Sequence, residues 1–221
     1  MTAQSVTTAA AREEPSSDGE TLLRLRSFSA FPEASEATPY VETDQRIADW
    51  VRSYLMRPHP ELGRLGAVCP YTPTAARLDA IRVGSSPVQS EAAIHRVMSL
   101  ALAAFEAIEC PPGHRHFRTV VVGFPNCGDE GGRTSLKKVQ KRFRLHSILG
   151  GLMFGLFEPN SPDRGLLNPE FRPLRSPLPL LAIRMLVDGD APFVVRNPLL
   201  LPIYLCKFPL IAPRRLWAAL R

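Results

Sequence analysis

The sequence predicts an α+β protein: a single domain in which one mixed or antiparallel sheet of about four strands is covered by helices, after a flexible N-terminal tail. Three observations support this class. Helical periodicity alternates with β-branched runs, the first 40 residues lack apolar periodicity, and the length of 221 residues suits one core. The predicted order is helix, strand, helix, strand, helix, strand, strand, helix, without an internal repeat.

Residues 1–40 are rich in Ala, Ser, Thr, Glu and Pro, a composition typical of a flexible tail. Within it, the stretch "TLLRLRSF" (21–28) is the one piece for which the sequence indicates order. We therefore expect a tail over 1–40 and one α+β domain over 41–221.

The first two helices are predicted from apolar residues that recur at intervals of three and four. In "DQRIADWVRSYL" (44–55) these positions follow Thr43 or Asp44 as N-cap. A longer helix is expected to start at Ser86 and Pro87, an N-cap and first-turn pair, and to continue until two consecutive prolines stop it.

The other elements follow from the same kinds of pattern. β-Branched and apolar runs predict strands, while amphipathic or apolar stretches bounded by proline or glycine predict helices. The strands are expected over 78–83, 117–124, 150–157 and 180–187, and the helices over 135–149, 198–208 and 213–221.

Positive charge is uneven along the chain. Residues 1–40 carry three basic and six acidic residues, a net charge of −3, so residues 41–221 carry +9 and the whole chain +6. This balance favours an anionic ligand or surface. The densest basic run, from Arg133 to Arg144, is compatible with a solvated helix face or with an anionic partner. Nucleic acid is not expected, because neither aromatic interleaving nor a known binding motif accompanies the charge.

The cysteines and the apolar segments indicate a cytoplasmic protein. Cys69, Cys110, Cys127 and Cys206 form no C-x-x-C pair, and a chain of this size needs no disulfide. The first residues lack the pattern of a signal peptide. The apolar stretch "PLLLPIYLCKFPLIAP" (198–213) is interrupted by proline and lysine, so no transmembrane helix and no membrane partner are expected. A homo-oligomer is left open.

Two loops resemble well-known ligand motifs without meeting their requirements. In "GFPNCGDEGG" (123–132) a nucleotide-binding loop needs glycine where Cys127 stands, or lysine and a hydroxyl where Asp129 and Glu130 stand. An anion-binding site at the N-terminus of the following helix, less specific than a nucleotide-binding loop, remains an alternative. "CPPGHRH" (110–116) lacks the second ligand pair that zinc requires, and no G-x-S-x-G elbow presents a serine.

The segment "HPELGRLGAVCPY" (59–71) is the candidate cofactor site. Cys69 stands directly before Pro70, and a cysteine before proline in a loop is a geometry that heme-thiolate ligands use. His59 and Arg64 precede the thiol within the same segment. A cationic neighbour favours the thiolate, and arginine can hold a propionate or a carboxylate. The alternative is that Cys69 is a small buried residue.

The segment "RGLLNPEFRPLRSPLPLLAIRML" (164–186) is the candidate substrate site. Arginines alternate there with prolines that fix the backbone. One interpretation is a solvated crossing loop. The other is a rigid frame in which Arg172, Arg175 or Arg184 binds a substrate carboxylate and the Asn168 amide adds orientation.

Three separated motifs together resemble a known family. "HPELGRLGAVCPY", "GGLMFGLFEP" and "GLLNPEFRPLRSPLPLLAIRML" occur in the order found in an uncharacterised bacterial family, common in actinobacteria and described as a domain of unknown function (DUF6875-like). The resemblance runs from about Ile47 to Phe208. It implies a single-domain cytosolic protein with a small-molecule role, because some members look as if they are encoded in natural-product gene clusters.

A more distant similarity is to the heme-dependent amino-acid N-hydroxylases of the guanitoxin type. Their pattern has an early cysteine–proline loop, then HP, then NPH. The corresponding positions here read Glu158-Pro159 and Asn168-Pro169-Glu170, so acids replace both histidines. The departure implies a different ligand set or no heme.

These observations give two hypotheses from different classes. The first is a biosynthetic enzyme, a heme-dependent oxygenase or N-hydroxylase acting on an amino-acid-like substrate, with Cys69 as the metal ligand and His59 and Arg64 as further cofactor-binding residues. Its substrate contacts would be Asn168, Arg172, Arg175 and Arg184. The second is a non-catalytic protein that binds an anionic ligand or a partner protein. No residue is assigned a catalytic role by the sequence.

Overall fold

The computed structural model describes residues 22–31, 39–147, 150–195 and 200–220. Within these residues it has an α+β fold with seven α-helices and one mixed, five-stranded open sheet, which confirms the predicted class. Several predicted stretches lie outside the described residues: 1–21 and 32–38 of the tail, 148–149 of the third helix, and 198–199 and 221 of the closing helices.

The sheet has one more strand than the roughly four expected. The strands are β1 (Arg26–Ser27), β2 (Ile81–Ser85), β3 (Thr119–Gly123), β4 (Leu152–Phe157) and β5 (Leu180–Met185). Their order across the sheet is β1-β2-β3-β5-β4; β2 and β3 are parallel and the other neighbours antiparallel.

The additional strand, β1, comes from the stretch 21–28 of the predicted tail. Leu23, Phe28 and Phe31 are buried, so this piece packs on the domain. It can approach closely because β2 carries Gly84, where a Cβ atom would lie 2.4 Å from the carbonyl oxygen of Arg24.

The helices cover both faces of the sheet. They are α1 (Pro39–Trp50), continued by a π-helical turn (Val51–Leu55), then α2 (Thr72–Arg77), α3 (Glu91–Ala107), α4 (Glu130–Ser147), α5 (Ala191–Val195), α6 (Leu201–Lys207) and α7 (Ala212–Ala219). Val120 and Val122 belong to a core with α3 and α4, whereas Val121 between them belongs to a core with α1. A third, smaller core lies within α5–α7.

The start of the long helix differs from the prediction. α3 begins at Glu91, with the Ser90 hydroxyl as the N-cap, rather than at Ser86. Ser86 instead extends the pairing of β2 with β3, because its N–H donates to the carbonyl of Gly123 at 2.9 Å.

The start of β2 also differs. It begins at Ile81 rather than at residue 78, because α2 extends to Arg77 and Asp79 adopts a left-handed backbone with φ 50°.

Candidate functional site

The two candidate segments meet beside the sheet. We call residues 59–71 the thiol loop and residues 164–176 the arginine loop. Asn168 Nδ2 donates to the carbonyl of Glu61 at 2.9 Å, and the rings of His59 and Phe171 stack with centroids 4.6 Å apart. The loops thus bring together His59 and Asn168, which are far apart in the sequence.

A row of aromatic rings links these loops to the sheet. Trp50 packs edge-on against Phe157 of β4 at 5.3 Å and stacks on Tyr54 at 6.1 Å. Tyr54 lies 6.0 Å from His59 and 6.4 Å from Phe171. It belongs to the π-helical turn, a feature frequent at functional sites.

The arginine loop is tied to the end of α1 through main-chain carbonyls. The Trp50 indole N–H donates to the carbonyl of Arg175 at 3.1 Å, and the Tyr54 hydroxyl donates to that of Arg172 at 3.4 Å. Burial raises the pKa of Tyr54, while the positive charge of Arg175 opposes the rise. The hydrogen bond from Trp50 thus fixes the backbone of Arg175 beside the end of α1.

Several predicted site residues use their side chains to hold their own loops. Arg172 Nη1 donates to the carbonyls of Pro169 and Phe171 at 2.5 and 3.2 Å. Arg64 donates to the carbonyls of Leu65 and Val68 at 3.1 and 3.0 Å. These guanidiniums satisfy loop acceptors that the irregular backbone leaves without strand or helix partners.

His59 and Asn168 are engaged in the same way. His59 Nδ1 accepts the N–H of Glu61 at 3.2 Å, and Asn168 Oδ1 accepts the N–H of Glu170 at 3.0 Å. Among the four predicted substrate-binding residues, Arg175 is exposed and is the one whose side chain makes no hydrogen bond or ion pair within the described residues.

Arg184 is paired inside the protein. Its Nη1 and Nη2 atoms donate to the two carboxylate oxygens of Asp190 at 2.7 and 2.6 Å, a bidentate ion pair. Burial alone would lower the pKa of Arg184, but Asp190 raises it, and Cys69 and Tyr71 add to the rise. Arg184 therefore stays charged in its pair with Asp190.

Cys69 is half-buried next to the π-helical turn. Its N–H donates to the carbonyl of Leu55 at 3.0 Å, which fixes the thiol loop against the residue after Tyr54. Cys127, in contrast, is fully buried, and burial together with Asp129 raises the pKa of its thiol to about 11. Of these two thiols, Cys69 is the one that a ligand can reach.

A polar network beside Cys69 was missed by sequence reasoning. Asp188 accepts hydrogen bonds from the Tyr71 hydroxyl at 3.0 Å and from Arg215 Nη2 at 2.7 Å, and its carbonyl accepts the Tyr204 hydroxyl at 2.5 Å. Burial and the bond to Asp188 raise the pKa of Tyr71 to about 12. The sequence feature that could have indicated this network is the pair of acids in "LVDGD" (186–190), directly after an apolar strand.

Lys207 adds an unusual group near this network. Its amine is buried and has no hydrogen-bond partner in the described structure. Burial lowers the pKa of Lys207, and Asp190 opposes this shift. Because Gly151 packs against the amine, any side chain at that position would crowd it.

The basic run on α4 is partly neutralised. Lys137 lies 3.7 Å from the Glu158 carboxylate and Lys138 lies 3.6 Å from that of Glu91. The side chain of Glu158 is buried and faces α4.

The residues predicted from the sequence to bind heme beside Cys69 do not fit that group, because His59 and Arg64 are engaged within their own loop. Cys69 itself is half-buried. Within the described residues, no three side chains of His, Cys, Asp or Glu are grouped so that they could hold a metal ion.

A family model matches residues 44–217 and is described as Domain of unknown function (DUF6875). The chain belongs to this family. The match covers the thiol loop, the arginine loop and the network around Asp188. Comparisons with curated proteins and with solved structures return no match. Every helix in the described part of the DUF6875 chain is too short or too polar to span a membrane.

Proposed function

We propose that this protein is a biosynthetic enzyme that binds an amino-acid-like, carboxylate-bearing small molecule between Arg175, Tyr54 and Cys69. The observation that carries the proposal is the placement of these three residues around the π-helical turn. The carbonyl of Arg175 accepts the indole N–H of Trp50, the residue directly before the π-helical turn, and Leu55 of that turn accepts the N–H of Cys69.

Each of the three groups has a distinct part in binding. A guanidinium whose donors are uncommitted can form charge-assisted hydrogen bonds to a carboxylate. The rings of Trp50 and Tyr54 offer an apolar surface for the rest of the ligand. The half-buried Cys69 thiol is the nucleophilic group that the site offers to a ligand.

The family resemblance supports the small-molecule role in natural-product biosynthesis. All four cysteines are free in the structure, which supports a reducing compartment, and we place the protein in the cytoplasm.

Calorimetric titration with a panel of L-amino acids and their methyl esters tests the binding site. At least one free acid should bind, and its ester should bind roughly ten-fold more weakly or worse, because the charged contact to Arg175 is lost. Arg175→Gln should reduce affinity for the acid by a similar factor. The matched control is Arg164→Gln, an exposed arginine of the same loop. Equal affinities of the two variants, or no binding by any acid, would contradict the proposal.

Alkylation with iodoacetamide tests whether the ligand covers Cys69. Mass spectrometry of timed samples should show that a saturating acid slows modification of Cys69. Modification of the exposed Cys206 should be unchanged, which controls for effects on the reagent. Unaltered modification of Cys69 would place the ligand elsewhere.

A hemin titration decides the cofactor separately. Heme bound through Cys69 should give a Soret band that Cys69→Ala shifts or abolishes. Absence of the band would exclude heme and leave the carboxylate site unaffected.

A non-catalytic binding protein is the second candidate. One observation favours it: the polar neighbours of Cys69 are paired in structural contacts, Arg184 with Asp190 and Tyr71 with Asp188. Two results together would identify this candidate as the correct one. Cys69→Ala should bind the acid with unchanged affinity, and the acid should be recovered chemically unaltered after incubation with wild-type protein in a clarified extract of the host.

A further inference from the structure

We propose that the C-terminal helices α6 and α7 form a docking surface for a lipid bilayer that carries anionic headgroups. This surface lies outside the candidate site, and the proposal stands independently of the ligand bound there.

The last helix carries two apolar faces. Ala212, Leu216 and Ala219 pack into the third core. A second set of apolar side chains points toward solvent: Leu210 is 94% exposed, Trp217 is 56% exposed and Leu220 is 71% exposed.

The outward set follows a helical spacing. Leu210, Pro213, Trp217 and Leu220 are separated by three, four and three residues, so they lie along one side of the helix. Leu210 lies in the turn that leads directly into α7, which is closed by a hydrogen bond from the N–H of Ala212 to the carbonyl of Phe208 at 2.8 Å.

The neighbouring helices α5 and α6 also expose apolar side chains. α6 exposes two leucines one helical turn apart, and α5 exposes two further apolar side chains. These are Leu201, Leu205, Phe193 and Val195.

Charge indicates what covers this surface. Residues 191–221 contain five Lys or Arg residues and no Asp or Glu. Among the described ones, the amine of Lys207 is buried and Arg215 pairs with Asp188, so Arg214 is the exposed cation beside the outward stripe. Exposed leucine and tryptophan flanked by arginine are typical of helices that lie in the interface of an anionic membrane.

The same charges argue against a second copy of the chain as the occupant. A symmetric dimer through this face would bring the Arg214 side chains of both copies together. Juxtaposed like charges across an interface are unfavourable, whereas phosphatidylglycerol headgroups would neutralise them.

Vesicle co-sedimentation of the full chain tests the proposal. We expect binding to vesicles of phosphatidylcholine and phosphatidylglycerol in equal amounts, weak binding to phosphatidylcholine alone, and loss of binding as salt is raised. Leu210→Ser and Trp217→Ser should each lower the partition coefficient roughly ten-fold or more, and Arg214→Gln about five-fold.

The matched control is Leu100→Ser, which removes an exposed leucine from α3. It should bind as the wild type does, and circular dichroism should show that all variants fold. Failure of the wild type to bind the mixed vesicles, or equal binding by Leu210→Ser, would overturn the proposal. A third outcome would assign the surface to a second copy of the chain instead. In that case the wild type would not bind vesicles, and sedimentation velocity would show a dimer that Leu210→Ser dissociates.

Discussion

Arg184 and Asp190 form a buried ion pair at the end of β5. The carboxylate is 4% exposed and also accepts the N–H of Val187 at 2.9 Å, so all its oxygens are engaged. An arginine that the sequence suggests as a substrate anchor thus stabilises the turn after the strand. Loss of one partner would leave a buried charge without compensation.

We therefore predict that Asp190→Asn lowers the free energy of unfolding by about 1.5–3 kcal/mol, less than for a fully buried pair because the Arg184 side chain is 29% exposed. Urea denaturation followed by circular dichroism measures this. The control is Arg215→Gln, which breaks a more exposed pair and should cost less than about 1 kcal/mol. A smaller effect for Asp190→Asn than for Arg215→Gln would contradict the interpretation of Arg184 as a structural residue.

A second prediction at the residue scale concerns pH. Burial alone would raise the pKa of Asp188, but hydrogen bonds from Arg215 and Tyr71 and the charge of Arg215 hold it below its usual value. A carboxyl whose pKa is lower in the folded state stabilises that state above its unfolded pKa of about 3.9. This stabilisation is lost as the pH falls through the lower, folded pKa.

The stability difference between wild type and Asp188→Asn should accordingly be constant above about pH 5 and shrink below about pH 4. Urea titrations at a series of pH values would measure it. If the difference in the free energy of unfolding stays constant down to pH values well below the usual carboxyl range, the negative charge of Asp188 does not stabilise the fold.

β1 depends on close packing of the chain segment that precedes it against β2. Its two residues pair with Val83 and Arg82 of β2, and the preceding backbone lies against Gly84. Two residue pairs give little stability by themselves, so burial of Phe28 and Phe31 must hold the segment in place.

We predict that Gly84→Ala lowers the free energy of unfolding by about 1–3 kcal/mol, because the new Cβ would meet the carbonyl oxygen of Arg24. Hydrogen exchange should speed up in peptides covering residues 22–31. Gly128→Ala is the control, since a Cβ there meets no atom within 4 Å and should change stability by less than about 0.5 kcal/mol. Equal exchange in both variants would mean that β1 does not depend on this contact.

At the scale of the whole molecule, the C-terminal helices form a unit with its own small core. The network around Asp188 joins this unit to the rest of the protein: Tyr71 belongs to the thiol loop, and Arg215 belongs to α7. The Asp188 network therefore links the thiol loop to the helix that carries the proposed membrane surface. Removal of Asp188 is expected to make both the thiol loop and α7 more mobile.

Much of the fold could be predicted because its signals are local. Apolar periodicity located α1, α3 and α4, and β-branched runs located β3 and β5, with errors of a few residues at their ends. The start of α3 was misplaced because Ser86 and Ser90 are both good N-caps, and only the pairing of Ser86 with Gly123 distinguishes them. The strand order β1-β2-β3-β5-β4 depends on long-range packing and has no local signal.

The sequence by itself determined the α+β class and pointed to the thiol loop and the arginine loop as candidate segments, because residue type and spacing are properties of the chain alone. Only the tertiary structure decided which partners each side chain has. Arg64 and Arg172 donate to carbonyls of their own loops, Arg184 forms an ion pair with Asp190, and the Arg175 side chain makes no hydrogen bond within the described residues. The physical reason is that a guanidinium binds whichever acceptors the folded backbone leaves unsatisfied within its reach, and those positions exist only once the loops have met.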